Sequence, residues 1–194
     1  MPYRPVTGGL IAHIFRRIFH LGNLVALWIY YESGLLIPPA YQGIEPQILC
    51  GVLLIILILE MLRLCLGWNI YGMRNYEKSG ISAFAWGAIG MTAVLLLAPK
   101  AYAIPIVCSY AIGDPLLGEL RATKLPKPVT ALIGVLVICG IWWLAQLNFH
   151  TPVWLIFLMG PVTVAAEWPC LTWIDDNALM QLLPLLVILA LKPN

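Results

Sequence analysis

The residues able to do chemistry stand out because so little around them is polar. Gly113-Asp114-Pro115 closes an apolar stretch from Ile104 to Ile112. A carboxylate there is costly unless it meets water, a cation or a donor. Asp114 is therefore a candidate ligand for Mg²⁺, a hard ion that prefers carboxylate oxygens and keeps water. The competing reading is an interfacial aspartate capping a helix segment. Glu167-Trp168-Pro169 followed by Asp175-Asp176-Asn177 forms a second cluster. Two adjacent carboxylates and an amide can bind a cation or position a nucleophilic hydroxyl, or Asp176 or Asn177 can simply cap the next helix. Arg74 and Glu77 are three residues apart, a spacing that lets them face each other on a helix. Arg74 is either a phosphate clamp, through its planar fork, or half of an interfacial ion pair worth little. Glu60 and Arg63 repeat the spacing in apolar surroundings, so mutual pairing is the expectation. Arg16-Arg17 reads as an interfacial anchor. His20, one turn on, reads as a structural residue, a proton acceptor or a phosphate contact.

Composition dictates what must position these groups. The 194 residues are 61% hydrophobic and 10% charged, against about 25% charged in a soluble domain. Such a chain cannot cover a water-facing surface, and its fold class is an all-α, polytopic membrane bundle forming one domain over residues 1–194. A spanning helix needs about 20 apolar residues. About seven are predicted: Ile18–Ile37, Gln47–Leu66, Ile81–Ala98, Ala101–Glu119, Val129–Leu147, Pro152–Ala166 and Ala178–Leu191. Pro105 and Gly113-Asp114-Pro115 are expected to bend the fourth. Glu32 would lie deep in the first, a run read as retained rather than cleaved. Trp142-Trp143, Trp154 and Trp168 read as interface anchors.

Arginine and lysine set the orientation. With alternate crossings, Arg4, Arg16, Arg17, Arg63, Arg74, Lys78, Arg121, Lys124 and Lys127 share one side, and Lys100 and Lys192 take the other. The N-terminus is thus expected in the cytoplasm. Glu77, Asp114, Glu119, Glu167, Asp175 and Asp176 map to the same side, a placement the orientation rule does not require. A surface of both signs at the membrane suggests metal and phosphate chemistry. The five cysteines are scattered without metal-ligand spacing, which argues against disulfides or zinc. No basic run with interleaved aromatics points to nucleic acid.

Taken in order, these clusters resemble the polyprenol kinase family, which includes dolichol, phytol and farnesol kinases. The likeness rests on Arg16-Arg17-Ile18-Phe19-His20, on Arg74-Asn75-Tyr76-Glu77-Lys78-Ser79-Gly80, on Ala111-Ile112-Gly113-Asp114, and on Ala166-Glu167-Trp168-Pro169 through Ile174-Asp175-Asp176-Asn177. It implies a multi-pass enzyme that phosphorylates an isoprenoid or other lipid alcohol, with CTP as donor and Mg²⁺ as cofactor. It further implies that Asp114, with Asp175 or Asp176, holds Mg²⁺ on the donor phosphates. Arg17, Arg74, Glu77, Lys124, Lys127 and Asn177 would contact substrate or phosphate, and Asp176, Glu167 or His20 would receive the alcohol proton. The chain departs from the family where a glycine-rich stretch and a Lys-Glu-Gly element usually follow the Gly-Asp step. Here Pro115-Leu116-Leu117-Gly118-Glu119 follows, and Lys127 precedes Pro128. A CTP-dependent lipid-phosphate cytidylyltransferase, a non-catalytic membrane subunit with a kinase-like fold, and a transporter using Glu32 and Glu60 are the other readings, the last without the internal repeat common in that class. Membrane lipids and a homo-oligomer or larger membrane complex are the partners expected.

Overall fold

The computed structural model describes residues 9–32, 43–70, 72–169, 171 and 173–192. Among them it is all-helical: α1 (Gly9–Tyr31), α2 (Glu45–Cys65), α3 (Ala83–Leu97), α4 (Lys100–Ala122), α5 (Lys127–Phe149), α6 (Trp154–Glu167) and α7 (Asp176–Leu191), with a 3-10 turn at Asn75–Lys78 before α3. Local chemistry sets the ends. Pro46 and Pro128 open α2 and α5 from the first turn, where the lost N–H has no helical partner anyway. Ser82 caps α3, its hydroxyl accepting from the Ala85 N–H at 3.2 Å. His150 and Lys192 stop α5 and α7 in the left-handed region, at φ 55° and 42°.

α4 is the centre of the bundle and packs on α1, α3, α5, α6 and α7, while α3 pairs with α7 and α5 with α6. α2 lies outside, against α3, with Leu54, Ile55, Ile58 and Leu59 exposed. Trp142, Ile106, Leu117, Ile138, Leu155, Met159 and Met180 are fully buried between the inner helices. Close approach depends on small residues, as expected where lipid removes the hydrophobic drive between helices. A Cβ on Gly160 of α6 would stand 2.6 Å from Cys139 Sγ and 3.0 Å from the Val135 carbonyl of α5.

Among the described residues three helices, α2, α4 and α5, are long and apolar enough to cross a membrane. At 15, 14 and 16 residues, α3, α6 and α7 fall short of a full span. Helix α1 begins at Gly9, well ahead of the expected start at Ile18, because its charged first half is helical too. Glu32 follows the last residue of α1 and pairs with Lys100 at 3.4 Å, so it is not deep in a helix. The predicted end of that helix at Ile37 lies outside the described residues, as do Arg4 and Cys170. α4 runs unbroken through Pro105 and Pro115. Trp142 is fully buried and is core rather than an anchor; Trp143, Trp154 and Trp168 are exposed. The other four cysteines are free thiols.

A buried charged cluster at one pole of the bundle

Three successive polar contacts tie the first half of α1 to the rest of the molecule. Arg16 and His20 are one turn apart and share a helix face. Arg16 Nη1 donates to Glu77 Oε1 at 3.0 Å, and His20 Nε2 lies 3.0 Å from Asp114 Oδ2 with both side chains buried. Arg17 Nε donates to Glu119 Oε1 at 2.9 Å. Its guanidinium crosses α4 over Gly118, where a Cβ would come within 2.7 Å of Arg17 Nη2. A side chain at 118 would therefore displace the Arg17 guanidinium from this path. The His20 ring also lies edge-on to Tyr110, centroids 5.2 Å apart. With Nε2 directed at the carboxylate, Nδ1 is left buried and without a partner. In a neutral imidazole that donates from Nε2, this atom carries the free lone pair.

α6 and α7 supply the opposite wall. Arg121 of α4 donates to the buried carboxylate of Glu167, and its Nε bonds the Leu117 carbonyl at 3.2 Å. Asp175 caps α7, its Oδ1 accepting from the Asn177 backbone N–H at 3.1 Å and from Asn177 Nδ2 at 2.5 Å. One turn on, Gln181 Nε2 donates to the carbonyls of Gly87 at 3.1 Å and Asn177 at 2.9 Å. Three acceptors on these two turns, Asp176 Oδ1, Asn177 Oδ1 and Gln181 Oε1, are buried without a partner.

Arg74 lies within electrostatic reach of both walls. It is a charge partner common to Asp114, Glu167 and Asp176, and the last two also feel the Asp114 carboxylate. The Gly113-Asp114 step and the Asp175–Asn177 turn therefore share one pole within electrostatic reach. Among the described residues no three His, Cys, Asp or Glu side chains converge to hold a metal ion.

Of the residues singled out in the sequence, His20, Arg74, Asp114, Glu167, Asp175, Asp176 and Asn177 come together. Several contacts differ from expectation. Glu77 pairs with Arg16 instead of Arg74, because Arg74 is extended (φ −76°, ψ 156°) ahead of the 3-10 turn and no helical face joins the two. The cap of α7 is Asp175, not Asp176 or Asn177. Lys124 and Lys127 are exposed where α4 gives way to α5, and Arg17 is taken by Glu119. Arg16, Arg121, Tyr110 and Gln181 also belong to the pole, and residue type alone does not mark them as site residues. Only Arg16 carries a signal, its helical spacing from His20.

The sequence matches no family model, no curated protein and no solved structure.

Proposed function

We propose that the chain is a membrane lipid-alcohol kinase that crosses the bilayer seven times with its N-terminus in the cytoplasm, and that phosphoryl transfer from a nucleotide, CTP first, takes place at the charged pole. The observation that carries this reading is the meeting of His20, Arg74, Asp114, Glu167 and Asp175–Asn177, drawn from separate stretches, at one end of an apolar bundle. Phosphoryl transfer depends on positioning and electrostatic stabilisation, and a cation shared by three carboxylates beside unpartnered acceptors suits that work. The acceptors Asp176 Oδ1, Asn177 Oδ1 and Gln181 Oε1 fit a group that donates, as an alcohol does and a dianionic phosphate does not. His20 Nδ1 would take the alcohol proton while Asp114 holds the ring. Asp176 and Asp114 would hold Mg²⁺ together with donor phosphates, and the ion would offset phosphate charge. Arg74 would bind the transferred group. The apolar helices leave the isoprenoid tail in lipid while its hydroxyl reaches the pole.

Purified protein given γ-labelled CTP, Mg²⁺ and a panel of prenyl alcohols should yield a labelled lipid monophosphate. No product with any nucleoside triphosphate would end the kinase reading. Incorporation of the α-label, and not the γ-label, into a lipid phosphate would replace it with a cytidylyltransferase.

One observation favours a second reading, a non-catalytic membrane subunit. After Asp114 the chain continues as helix through Glu119, and Gly118 is covered by Arg17, so no glycine loop there offers backbone amides to a phosphate. A stable larger complex on native purification, with no melting shift on adding CTP and Mg²⁺, would establish that reading.

A further inference from the structure

The ion pair at the end of α2 does more than neutralise two buried charges. Glu60 and Arg63 are 8% and 2% exposed, on a helix whose other large side chains mostly face outward. Arg63 Nε and Nη2 bond the two oxygens of Glu60 at 3.1 and 2.9 Å. A pair formed only to cancel charge would stop there. Instead Nη2 also donates to the Gly80 carbonyl at 2.6 Å, and Nη1 donates to the Trp68 carbonyl at 3.4 Å and contacts Met73 Sδ at 3.8 Å. Glu60 Oε1 in turn accepts from the Ser82 N–H at 2.6 Å. One guanidinium and one carboxylate therefore fasten the α2–α3 connection at residues 68, 73, 80 and 82. The stretch between these fastenings holds Arg74, adjacent to Met73, and Glu77, which bonds Arg16 on α1.

We infer that Glu60 and Arg63 are positioning residues, a clasp that sets the path of the 68–82 segment and so presents Arg74 and Glu77 to the charged pole. Its effect on catalysis rests on the kinase reading; its effect on the segment does not. The geometry calls for arginine: its fork reaches Glu60, Trp68, Met73 and Gly80 at once, whereas a lysine ammonium has three donors at one point.

Arg63→Lys keeps the buried charge pair and removes the fork. The test places spin labels at Lys78→Cys and Thr123→Cys, both at exposed positions, in a background with the native cysteines replaced, and measures their distance distribution in nanodiscs. The clasp requires a narrow distribution with Arg63 and one at least twofold broader in the Arg63→Lys variant. In the unlabelled protein, Arg63→Lys should raise the nucleotide KM about tenfold and leave the lipid-alcohol KM within twofold, a split that general loss of stability would not produce. An unchanged distribution overturns the clasp. So does an unchanged nucleotide KM in a protein that phosphorylates lipid. If the parent protein makes no product yet the distribution broadens, the clasp stands and the kinase reading falls. Should Arg63→Lys fail to fold, Glu60→Asp, which keeps both charges and shortens the reach, takes its place with the same expected outcomes.

Discussion

The contact between His20 Nε2 and Asp114 Oδ2, 3.0 Å long and sealed from solvent, links α1 to the central helix in the middle of the charged pole. Two neighbouring pairs, Arg16–Glu77 and Arg17–Glu119, fasten the same half of α1. Among the described residues of α1, Leu27 is buried in the core and Leu24, Tyr30 and Tyr31 pack against it. Polar contacts at one end and apolar packing at the other therefore share the docking of this helix.

Removing either partner of the His20–Asp114 contact leaves the other buried without its hydrogen bond. Losses of this kind run from about 1–3 kcal/mol for an unsatisfied polar group to about 3–5 kcal/mol for an unpaired buried charge. His20→Ala and Asp114→Ala should each destabilise within that range. The double variant should be more stable than the sum of the two losses predicts, by about 1 kcal/mol or more. Denaturant titration in mild detergent measures all three. Additive losses would mean that the contact contributes nothing of its own.

On the kinase reading, Arg74 offers a sharper functional test because it lies within electrostatic reach of Asp114, Glu167 and Asp176. Arg74→Gln should lower kcat/KM for the nucleotide by about a hundredfold or more, the scale associated with losing one electrostatic stabiliser. Arg74→Lys should recover part of the loss, since it restores the charge but not the fork. Lys124→Gln and Lys127→Gln, at exposed positions, should change kcat/KM less than threefold. Equal losses at Lys124 and Arg74 would move the phosphate site to the α4–α5 connection.

Much of this pole is legible in the sequence because a charge in an apolar run has few uses. His20, Arg74, Asp114, Glu167 and Asp176 are visible from residue type alone. Their pairing is not. Glu77 lies three residues from Arg74 but bonds Arg16, because the backbone at Arg74 is extended and helical spacing rules do not apply there. Arg121 and Glu167 are 46 residues apart, and no local pattern joins them. Glu60–Arg63 shows the reverse: i,i+3 spacing on a true helix reveals the pair but not the loop carbonyls that complete it. Trp142 departs from its expected anchor role because tryptophan at a membrane edge and tryptophan in a core look alike until the neighbours are known. The seven-crossing count rests on apolar length, and among the described residues only α2, α4 and α5 meet that test.

Helix packing gives a prediction independent of function. Gly160→Ala places a methyl 3.0 Å from the Val135 carbonyl, a backbone atom that cannot swing aside. Overpacking of this kind costs about 1–3 kcal/mol. Gly140→Ala, on α5 with nothing within 4 Å of its Cβ position, should be neutral or slightly stabilising, because alanine favours helix over glycine by up to about 1 kcal/mol. Thermal melting of the two variants in the same detergent compares them directly. Equal stabilities would show that α5 and α6 are not in such close contact.

Topology supplies the last test, and it separates the bundle from its crossing count. Ser79, Lys124 and Trp173 are exposed in the connections at the charged pole, and Gly43 and His150 are exposed in connections at the other. The arginines Arg16, Arg17, Arg74 and Arg121 are gathered at the first pole, and Lys100 stands at the far end of α4. Basic residues near helix ends are retained in the cytoplasm. Single cysteines at 79, 124 and 173 should therefore react with a membrane-impermeant maleimide only in inside-out vesicles, and those at 43 and 150 only in intact cells. This pattern requires α2, α5 and α6 each to connect the two faces, α6 despite its 14 residues; bilayer thinning and flanking interfacial residues accommodate such a helix at fractions of a kcal/mol per Å. If 124 and 173 label from opposite sides, Asp114 and Asp176 cannot serve one reaction at one membrane face.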